Sequence, residues 1–596
     1  MLILRNFLII SLLSGMATAC IFGRGGKPYK ISSIPEKPRL IVLLIVDQMR
    51  ADFLDRFSNA FKKNSSSSNP EGLQYFYERG TAFTNARTAS APTVTAAGHA
   101  TVCSGATASK HGIIANSYFD RSKRELQETA VDPATRLIRT PGILPKDPLS
   151  QVDKSGSSDS RMLTLNLADS LHQWSGGQSK TVSVSLKDRG SVYCGGKNSA
   201  GVYWYDYQSG SMVTSSRYAQ NLPEWVNQFN KERAPNFNFV WKPSFSGDVF
   251  KSLLGDPVYK RALDVRSALS QKFGQGFPYE YSSAEVGVLG ARKFFEYTPF
   301  ASDHLVNFAL EAQQKERLGC AQKQNDGECS SPQFADLLTL SFSTPDLVGH
   351  GFGPESLEHF DIYLNLNKSV ERLRKELESR LGTGSILFVQ TSDHGVQTLP
   401  EVARSQKGKS AGRLATRDLK ERFEATLSQK FGAGPWVNEV VNAQVYFNDD
   451  TLKSFSVTPD AIVTALKSEV RNIEGVRDIL SASDVTKGGT PEIELYKRGQ
   501  NPARSGDAFL LVTEGWLFEE GVAGNHGTSH DEDTRIPVIF SGWRIQSQRI
   551  DAAVRADDVA PTILSLVGAV KPTFMTGNSL DTLMSGPSRN SSEKPK

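Results

Sequence analysis

Beyond its first twenty residues the chain has no apolar run long enough to cross a bilayer, which excludes a later membrane-spanning helix. Cysteine is scarce, five in 596 residues, and none has the spacing of a zinc finger. Net charge is scarce too. Lys and Arg number 68 against 64 Asp and Glu, and the resulting +4 gives no case for nucleic acid or an anionic membrane surface as a partner. No internal repeat is present. What remains is an ordinary soluble composition, 39% apolar and 22% charged, in a chain long enough for one large core with insertions or for two or three domains.

The N-terminus departs from this. Arg5 precedes a short apolar run from Phe7 to Met16, and Ala17-Thr18-Ala19-Cys20 follows. A charged start, a short apolar stretch and small residues before a cut site read as a signal peptide over residues 1–19, so the protein is expected to be exported. Two fates fit. Cleavage releases a periplasmic protein, or Cys20 carries a lipid anchor at the outer membrane or cell surface, although Ala17 is a poor match to a lipobox. With Cys20 lipidated or removed, Cys103, Cys194, Cys320 and Cys329 remain, an even number for an oxidising compartment. Cys320 and Cys329 flank a polar loop that a disulfide would close; reduced thiols are the equal alternative.

Three apolar segments share one design. Residues 40–46 lead to Asp47, 337–342 to Asp346 and 386–389 to Asp393, each reading as a buried strand with an acidic residue beyond its C-terminal end. Open α/β sheets bind ligands beyond the carboxyl ends of their strands, so three carboxylates are expected to meet at one edge. A helix is expected to start at Thr95, and an exposed amphipathic helix to run over 357–381. Polar loops are expected at 64–69 and 149–160. Residues 203–301 read as an insertion capping the active site, and 412–506 as a second insertion with strands at 444–447 and 492–496. The catalytic domain is expected over 36–585, followed by a disordered tail over 586–596.

Histidines gather around the same carboxylates. His350 follows Asp346 by four residues, His394 follows Asp393 directly, and His526 stands in Gly524-Asn525-His526-Gly527. Mixed Asp and His ligation suits zinc better than magnesium or calcium, with manganese and cobalt as other occupants of such a set. Six protein ligands are enough for two metals at three each, with positions left open for a nucleophile and a substrate. A lone histidine is more often structural, and His99, His111, His172, His304, His359 and His530 are taken so.

At these residues the chain resembles the alkaline phosphatase superfamily, and within it the type I phosphodiesterase/nucleotide pyrophosphatase-like branch that includes the phosphate-irrepressible (PafA-like) alkaline phosphatases. The resemblance covers Arg39 to Leu583. It runs in order through Val46-Asp47, Pro92-Thr93-Val94-Thr95, Gly98-His99-Ala100, His111-Gly112-Ile113, Asp346 with His350, Asp393-His394-Gly395, and His526-Gly527 with Asp533 and Pro537. It implies an α/β fold, a central mostly parallel sheet flanked by helices and carrying cap insertions. It also implies two Zn2+ ions, one held by Asp346, His350 and His526, the other by Asp47, Asp393 and His394 together with Thr95. Thr95 is then the nucleophile of a two-step displacement through a phosphothreonine. An alkaline optimum is expected, because metal stabilisation of the leaving alkoxide removes the need for a general acid. A helix N-terminus at Thr95 favours a bound phosphate. The other role open to Thr95 is an N-cap, and Thr93 is taken as structural.

Asn116 and the pair Lys187 and Arg189 stand where the resembling monoesterases hold the non-bridging phosphate oxygens. A monoester dianion presents three charged oxygens, which Lys and Arg favour; outside that context Lys-Asp-Arg is a solvated charged turn. Small phosphate monoesters are therefore the expected substrates. A phosphodiesterase or nucleotide pyrophosphatase on the same two-zinc site is the alternative, and a catalytically silent phosphate- or glycan-binding protein is a third reading. Ala96-Ala97 replaces the Gly-Pro common after this threonine in the monoesterases, and the Phe-Pro-Asn of the diesterases is also absent. Thr-Ala-Ala-Gly-His in place of a C/S-x-P-x-R context argues against a sulfatase.

Overall fold

Leu40–Val46 is apolar at every position, and a strand of that kind must be covered on both faces. The computed structural model, which describes residues 34–64, 69–143, 155–245, 276–321, 329–407, 410–519 and 521–585, places it at the centre of an eleven-stranded sheet. The signal peptide, Cys20, the tail over 586–596, residues 65–68 of the loop at 64–69, the first half of the loop at 149–160 and the middle of the 203–301 segment lie outside the described residues. Successive residues of the strand feed opposite cores, as the period of two requires. Leu40, Val42, Leu44 and Val46 enter one, and Ile41, Leu43 and Ile45 enter the other.

The elements that position the site begin with β1 (Leu40–Val46), β2 (Thr81–Arg87), α1 (Thr95–Ser104), β3 (Val131–Ile138), β4 (Ser155–Ser157), β5 (Thr181–Ser185) and α2 (Asp188–Gly195). They continue with β6 (Gly201–Asp206), β7 (Ser211–Ser215), β8 (Asp336–Phe342), α3 (Thr344–Phe352), α4 (Leu357–Leu381) and β9 (Ile386–Thr391). The second inserted region contributes β10 (Val437–Val441), β11 (Gln444–Phe447), β12 (Val476–Ser481), α5 (Pro491–Gly499) and β13 (Ala508–Val512), and the chain returns through β14 (Val538–Gly542) and β15 (Gln548–Arg555). The large sheet runs β15-β2-β14-β9-β1-β8-β5-β6-β7-β3-β4. Its centre, β9-β1-β8-β5-β6, is parallel, and antiparallel pairs occur on both flanks.

Several expectations need correction. The helix over 357–381 forms as α4, but it is not exposed: every residue from Leu357 to Leu364 is buried, with His359, Phe360 and Tyr363 against the rings of Phe53 and Phe57. Two of its acidic residues have donors inside, with Trp241 Nε1 donating to Asp361 Oδ2 at 2.7 Å and the Tyr279 hydroxyl donating to Glu358. The segment from 203 does not start as a cap, because β6 and β7 extend the main sheet. Its aromatic hairpin, Phe239–Trp241 with Tyr279–Tyr281, joins the core that contains α4. Part of the 149–160 loop is strand β4.

In the second insertion, 444–447 is a strand, β11, of a separate four-stranded sheet. Residues 492–496, however, belong to helix α5. Its N-terminus has Thr490 accepting from Ile493 N and Pro491 in the first turn, two start signals that outweigh a strand-like alternation of Glu and Ile. Of the two readings of the cysteines, the bonded one holds. Cys320 pairs with Cys329, and Cys103 of α1 pairs with Cys194 of α2 across 91 residues.

Candidate active site

β9, β1 and β8 are neighbours and end level, with Val46 opposite Phe342 and Ile45 opposite Thr391. Asp47 and Asp393 therefore leave adjacent strand ends. Asp346 enters from the first turn of α3, where Pro345 suits a helix start. His350, four residues on, stands one turn further along the same face. His526 arrives from a separate loop.

These side chains converge. His350 Nε2 lies 3.2 Å and His526 Nε2 3.4 Å from Asp346 Oδ1, and the two nitrogens are 3.2 Å apart. His394 Nε2 lies 3.5 Å from Asp47 Oδ1 and 3.3 Å from Asp393 Oδ2, and its ring stacks on that of His526 at 3.8 Å. Two donor sets are close enough to hold a metal ion: Asp346, His350 and His526, and Asp47, Asp346 and His394. Asp346 thus stands in both, and Asp393 adjoins the second.

The chemistry of the donors fits metal ions. Each histidine is tied to a backbone carbonyl through Nδ1, His350 to Gly524 at 2.8 Å, His526 to Thr93 at 2.7 Å and His394 to Gly395 at 2.9 Å. When Nδ1 donates, the neutral ring presents a lone pair at Nε2, and all three Nε2 atoms point to the centre. Asp47 Oδ1 and Asp393 Oδ2 are buried with no hydrogen-bond donor. Such groups are costly unless a ligand or cation meets them. Burial, then the charges of Asp346 and Asp393, push Asp47 well above the usual carboxylate range. At Asp346 burial is outweighed by the neighbouring His350 and by Lys187, which hold the carboxyl well below it. Burial pulls His394 down to about 3, whereas at His526 the bond to Asp346 outweighs burial and raises it. Three carboxylates this close need positive charge.

Thr95 is the first residue of α1, fully buried, with Oγ1 3.4 Å from His394 Nε2. It is not the N-cap; Val94 holds that position and offers no side-chain bond. Asn116 supplies one instead, its Oδ1 accepting from Ala96 N at 2.8 Å. Gly98 lets the helix lie on the Asp393 backbone, since a Cβ there would come within 2.4 Å of the Asp393 carbonyl oxygen. Lys187 reaches the centre itself: Nζ donates to Asp47 Oδ2 at 2.7 Å and to Asp346 Oδ2. Arg189 is a third exposed, with Nε buried and without a partner, and its nearest carboxylate, on Asp188, is 3.9 Å away.

Asp47, Asp346, His350, Asp393, His394, His526, Thr95 and Lys187 thus lie together. Asn116 is bonded beside Thr95, Arg189 lies next to Asp188 only among the described residues, and others join the cluster. His99, read as structural, touches a donor: its Nδ1 lies 3.2 Å from Asp393 Oδ2 and 2.9 Å from Thr95 O, and Nε2 is 2.7 Å from Ser341 Oγ. Its only sequence signal was its place in Gly98-His99-Ala100. Gln48 bonds to Asp346 and Asp393, and nothing but adjacency to Asp47 marked it. Asp533 accepts from Thr528 N at 2.8 Å, Thr528 Oγ1 at 2.7 Å and Gln397 Nε2 at 3.2 Å, bracing the loop that carries His526. Thr93 is structural, with Oγ1 donating to Thr528 O. His111, bonded to Thr101 and Ile113, and His530, beside Val512 O, stay outside the centre.

Known proteins resemble the chain over most of its length. The chain is 28% identical to alkaline phosphatase PafA of Elizabethkingia meningoseptica, over 92% of this chain and 94% of that protein. It is 26% identical to a Myroides odoratus protein named calcium-transporting ATPase, over 91% of this chain and 93% of the relative. The crystal structure of wild-type PafA superposes with a TM-score of 0.76 at 26% identity, covering 92% of this chain and 99% of that one. The model of the type I phosphodiesterase/nucleotide pyrophosphatase family matches residues 41–533, from the second residue of β1 to the aspartate that braces the His526 loop, and the chain belongs to that family.

Proposed function

We propose that the protein is an exported, zinc-dependent alkaline phosphatase that hydrolyses small phosphate monoesters through a phosphothreonine at Thr95. The observation that carries the reading is Thr95 Oγ1 standing at a helix N-terminus 3.4 Å from His394 Nε2, inside a cluster of three carboxylates and three Nε2-presenting imidazoles. In this reading Asp346, His350 and His526 hold one zinc, and Asp47, Asp393 and His394 hold the other with Thr95. Bound there, two zinc ions supply the positive charge that favours the Thr95 alkoxide and the departing alkoxide.

The chain's own residues do the rest. Thr95 Oγ1 attacks phosphorus, the ester oxygen leaves, and water then hydrolyses the phosphothreonine to inorganic phosphate. The free N–H groups at the start of α1 face the phosphoryl oxygens, and the Asn116 amide, already bonded to Ala96 N, stands beside them. Arg189 and Lys187 favour the dianion of a monoester over the monoanion of a diester. Two disulfides suit the oxidising compartment that export implies. The ATPase name of the Myroides relative is compatible with this chemistry, because the terminal phosphoryl group of ATP presents three oxygens like those of a monoester.

One observation favours the alternative, a phosphodiesterase or nucleotide pyrophosphatase. Lys187 is paired with Asp47 and Asp346, which leaves Arg189 as the clamp cation without a close carboxylate. The test is a comparison of 4-nitrophenyl phosphate with bis(4-nitrophenyl) phosphate on enzyme of measured zinc content. A larger kcat/KM for the monoester, lost on chelation and restored by zinc, is expected. Faster turnover of the diester overturns the monoesterase reading.

A further inference from the structure

We infer that Gln48 is a positioning residue that ties the two donor sets together, and that its side-chain amide serves the set built on Asp346. The inference rests on the two-metal reading above. Gln48 follows Asp47 directly and is completely buried. Its main-chain N–H donates to Asp393 Oδ1 at 3.2 Å, and its side-chain Nε2 donates to Asp346 Oδ1 at 2.8 Å. One residue thus touches the carboxylates that follow both neighbouring strands while its predecessor supplies the third.

Two features show that this bridge is built rather than incidental. Gln48 has φ +69°, a left-handed backbone conformation that an ordinary side chain avoids unless its surroundings hold it there. The turn is held next door, where Met49 N donates to Ser392 Oγ at 2.9 Å. The side chain then lies close against Gly349, the residue before His350, where a Cβ would come 1.8 Å from Gln48 Oε1 and displace the amide. An amide suits this place by its chemistry. An ionised carboxylate only accepts, so the group facing Asp346 must donate, and a neutral donor orients Asp346 without cancelling the charge a metal would meet. Lys187, on the other oxygen of Asp346, donates with a full positive charge.

The geometry separates the two jobs, because the main-chain N–H to Asp393 is kept when the side chain is changed to Met or Asn while the side-chain bond to Asp346 is lost. Gln48→Met keeps the volume without a donor, and Gln48→Asn keeps the amide but is one methylene too short to reach Asp346. Both are titrated with Zn2+ against a chromophoric chelator, beside the wild-type chain. Two ions per wild-type chain are expected. Either variant retains one with unchanged affinity and binds the other about 10–100-fold more weakly, the usual cost of losing a partner behind a metal ligand. In an Asp346→Asn background, Gln48→Met is expected to change nothing further. Equal weakening at both ions, or wild-type affinity at both, overturns the assignment. A wild-type chain that takes up fewer than two ions overturns the two-metal reading itself, a separate outcome.

Discussion

Strand β1 has buried charge at both ends, Arg39 just before Leu40 and Asp47 just after Val46, and both are fully inside the protein. The two ends are treated differently. At the first, Arg39 donates from Nε to Gly319 O at 2.9 Å, from Nη1 to Leu381 O at 3.1 Å and from Nη2 to Cys329 O at 2.7 Å. Asp336, at the start of β8, accepts from Lys180 N at 2.7 Å and Gly319 N at 2.8 Å, and the Cys320–Cys329 disulfide holds together the segments that present the Gly319 and Cys329 carbonyls. At the other end Asp47 Oδ1 and Asp393 Oδ2 have no donor, and imidazole nitrogens of His350 and His526 face each other. The same strands thus carry charge that is satisfied at one end and unsatisfied at the other. Full satisfaction is what a structural buried charge requires, and a remainder that persists marks a place built for something else.

The largest effect that tests this contrast is at Thr95. Thr95→Ala is expected to lower monoester kcat by about 10³-fold or more while the melting temperature stays within about 2 °C of wild type, because among the described residues the hydroxyl's one hydrogen-bond partner is His394. Activity close to wild type removes the nucleophile. The mirror experiment is Arg39→Met. It is expected to cost about 3–5 kcal/mol in denaturant unfolding, since several carbonyls lose their donor at once, while kcat of the folded enzyme is unchanged. A loss of kcat without loss of stability would erase the distinction between the two ends.

Lys187 sits on the border of the comparison, since it both satisfies two carboxylates and stands with Arg189 near the phosphate position proposed above. If it clamps a dianion, Lys187→Ala lowers monoester kcat/KM by about 10²-fold and diester turnover much less. If it only neutralises Asp47 and Asp346, both substrates suffer alike. The ratio of the two losses decides which end of the molecule Lys187 resembles.

The unsatisfied end was the more legible in the sequence. Aspartates beyond three apolar strands, with histidines at short spacings, carry their chemistry in their residue types, and the strands forced them to one edge. Thr95 followed from the ordered motifs around it. The satisfied end left no such trace, because Arg39 and Lys180 bond mainly to backbone carbonyls, which any sequence supplies. Gln48 was invisible for another reason: a neutral amide beside Asp47 is no metal ligand, and only the fold brings it to Asp346 and Asp393. The burial of α4 was missed because its interior polar residues, Glu358 and Asp361, read as solvent-facing until Tyr279 and Trp241 were seen to meet them. The pairing of Cys103 with Cys194 depends on α1 and α2 lying side by side, which 91 residues of separation conceal.

The smallest expected effect concerns how complete the satisfaction at the first end is. Burial pushes Asp336 up to about 6, against the pull of Lys180 and of two backbone N–H donors. A carboxyl raised above its unfolded value near 3.8 contributes stability that is fully present below about pH 4 and is lost as pH rises through about 6. Over that window the group is expected to make unfolding free energy fall by up to about 1.4 kcal/mol per pH unit. Asp336→Asn removes this titration, and because the amide also disturbs the donors around it, the slope rather than the absolute stability is the quantity to compare. A shallower fall in the variant between pH 4 and 6 means that hydrogen bonds alone do not cancel the cost of a buried charge. Equal slopes mean that Lys180 keeps Asp336 ionised throughout, and the first end is then as fully compensated as its geometry suggests.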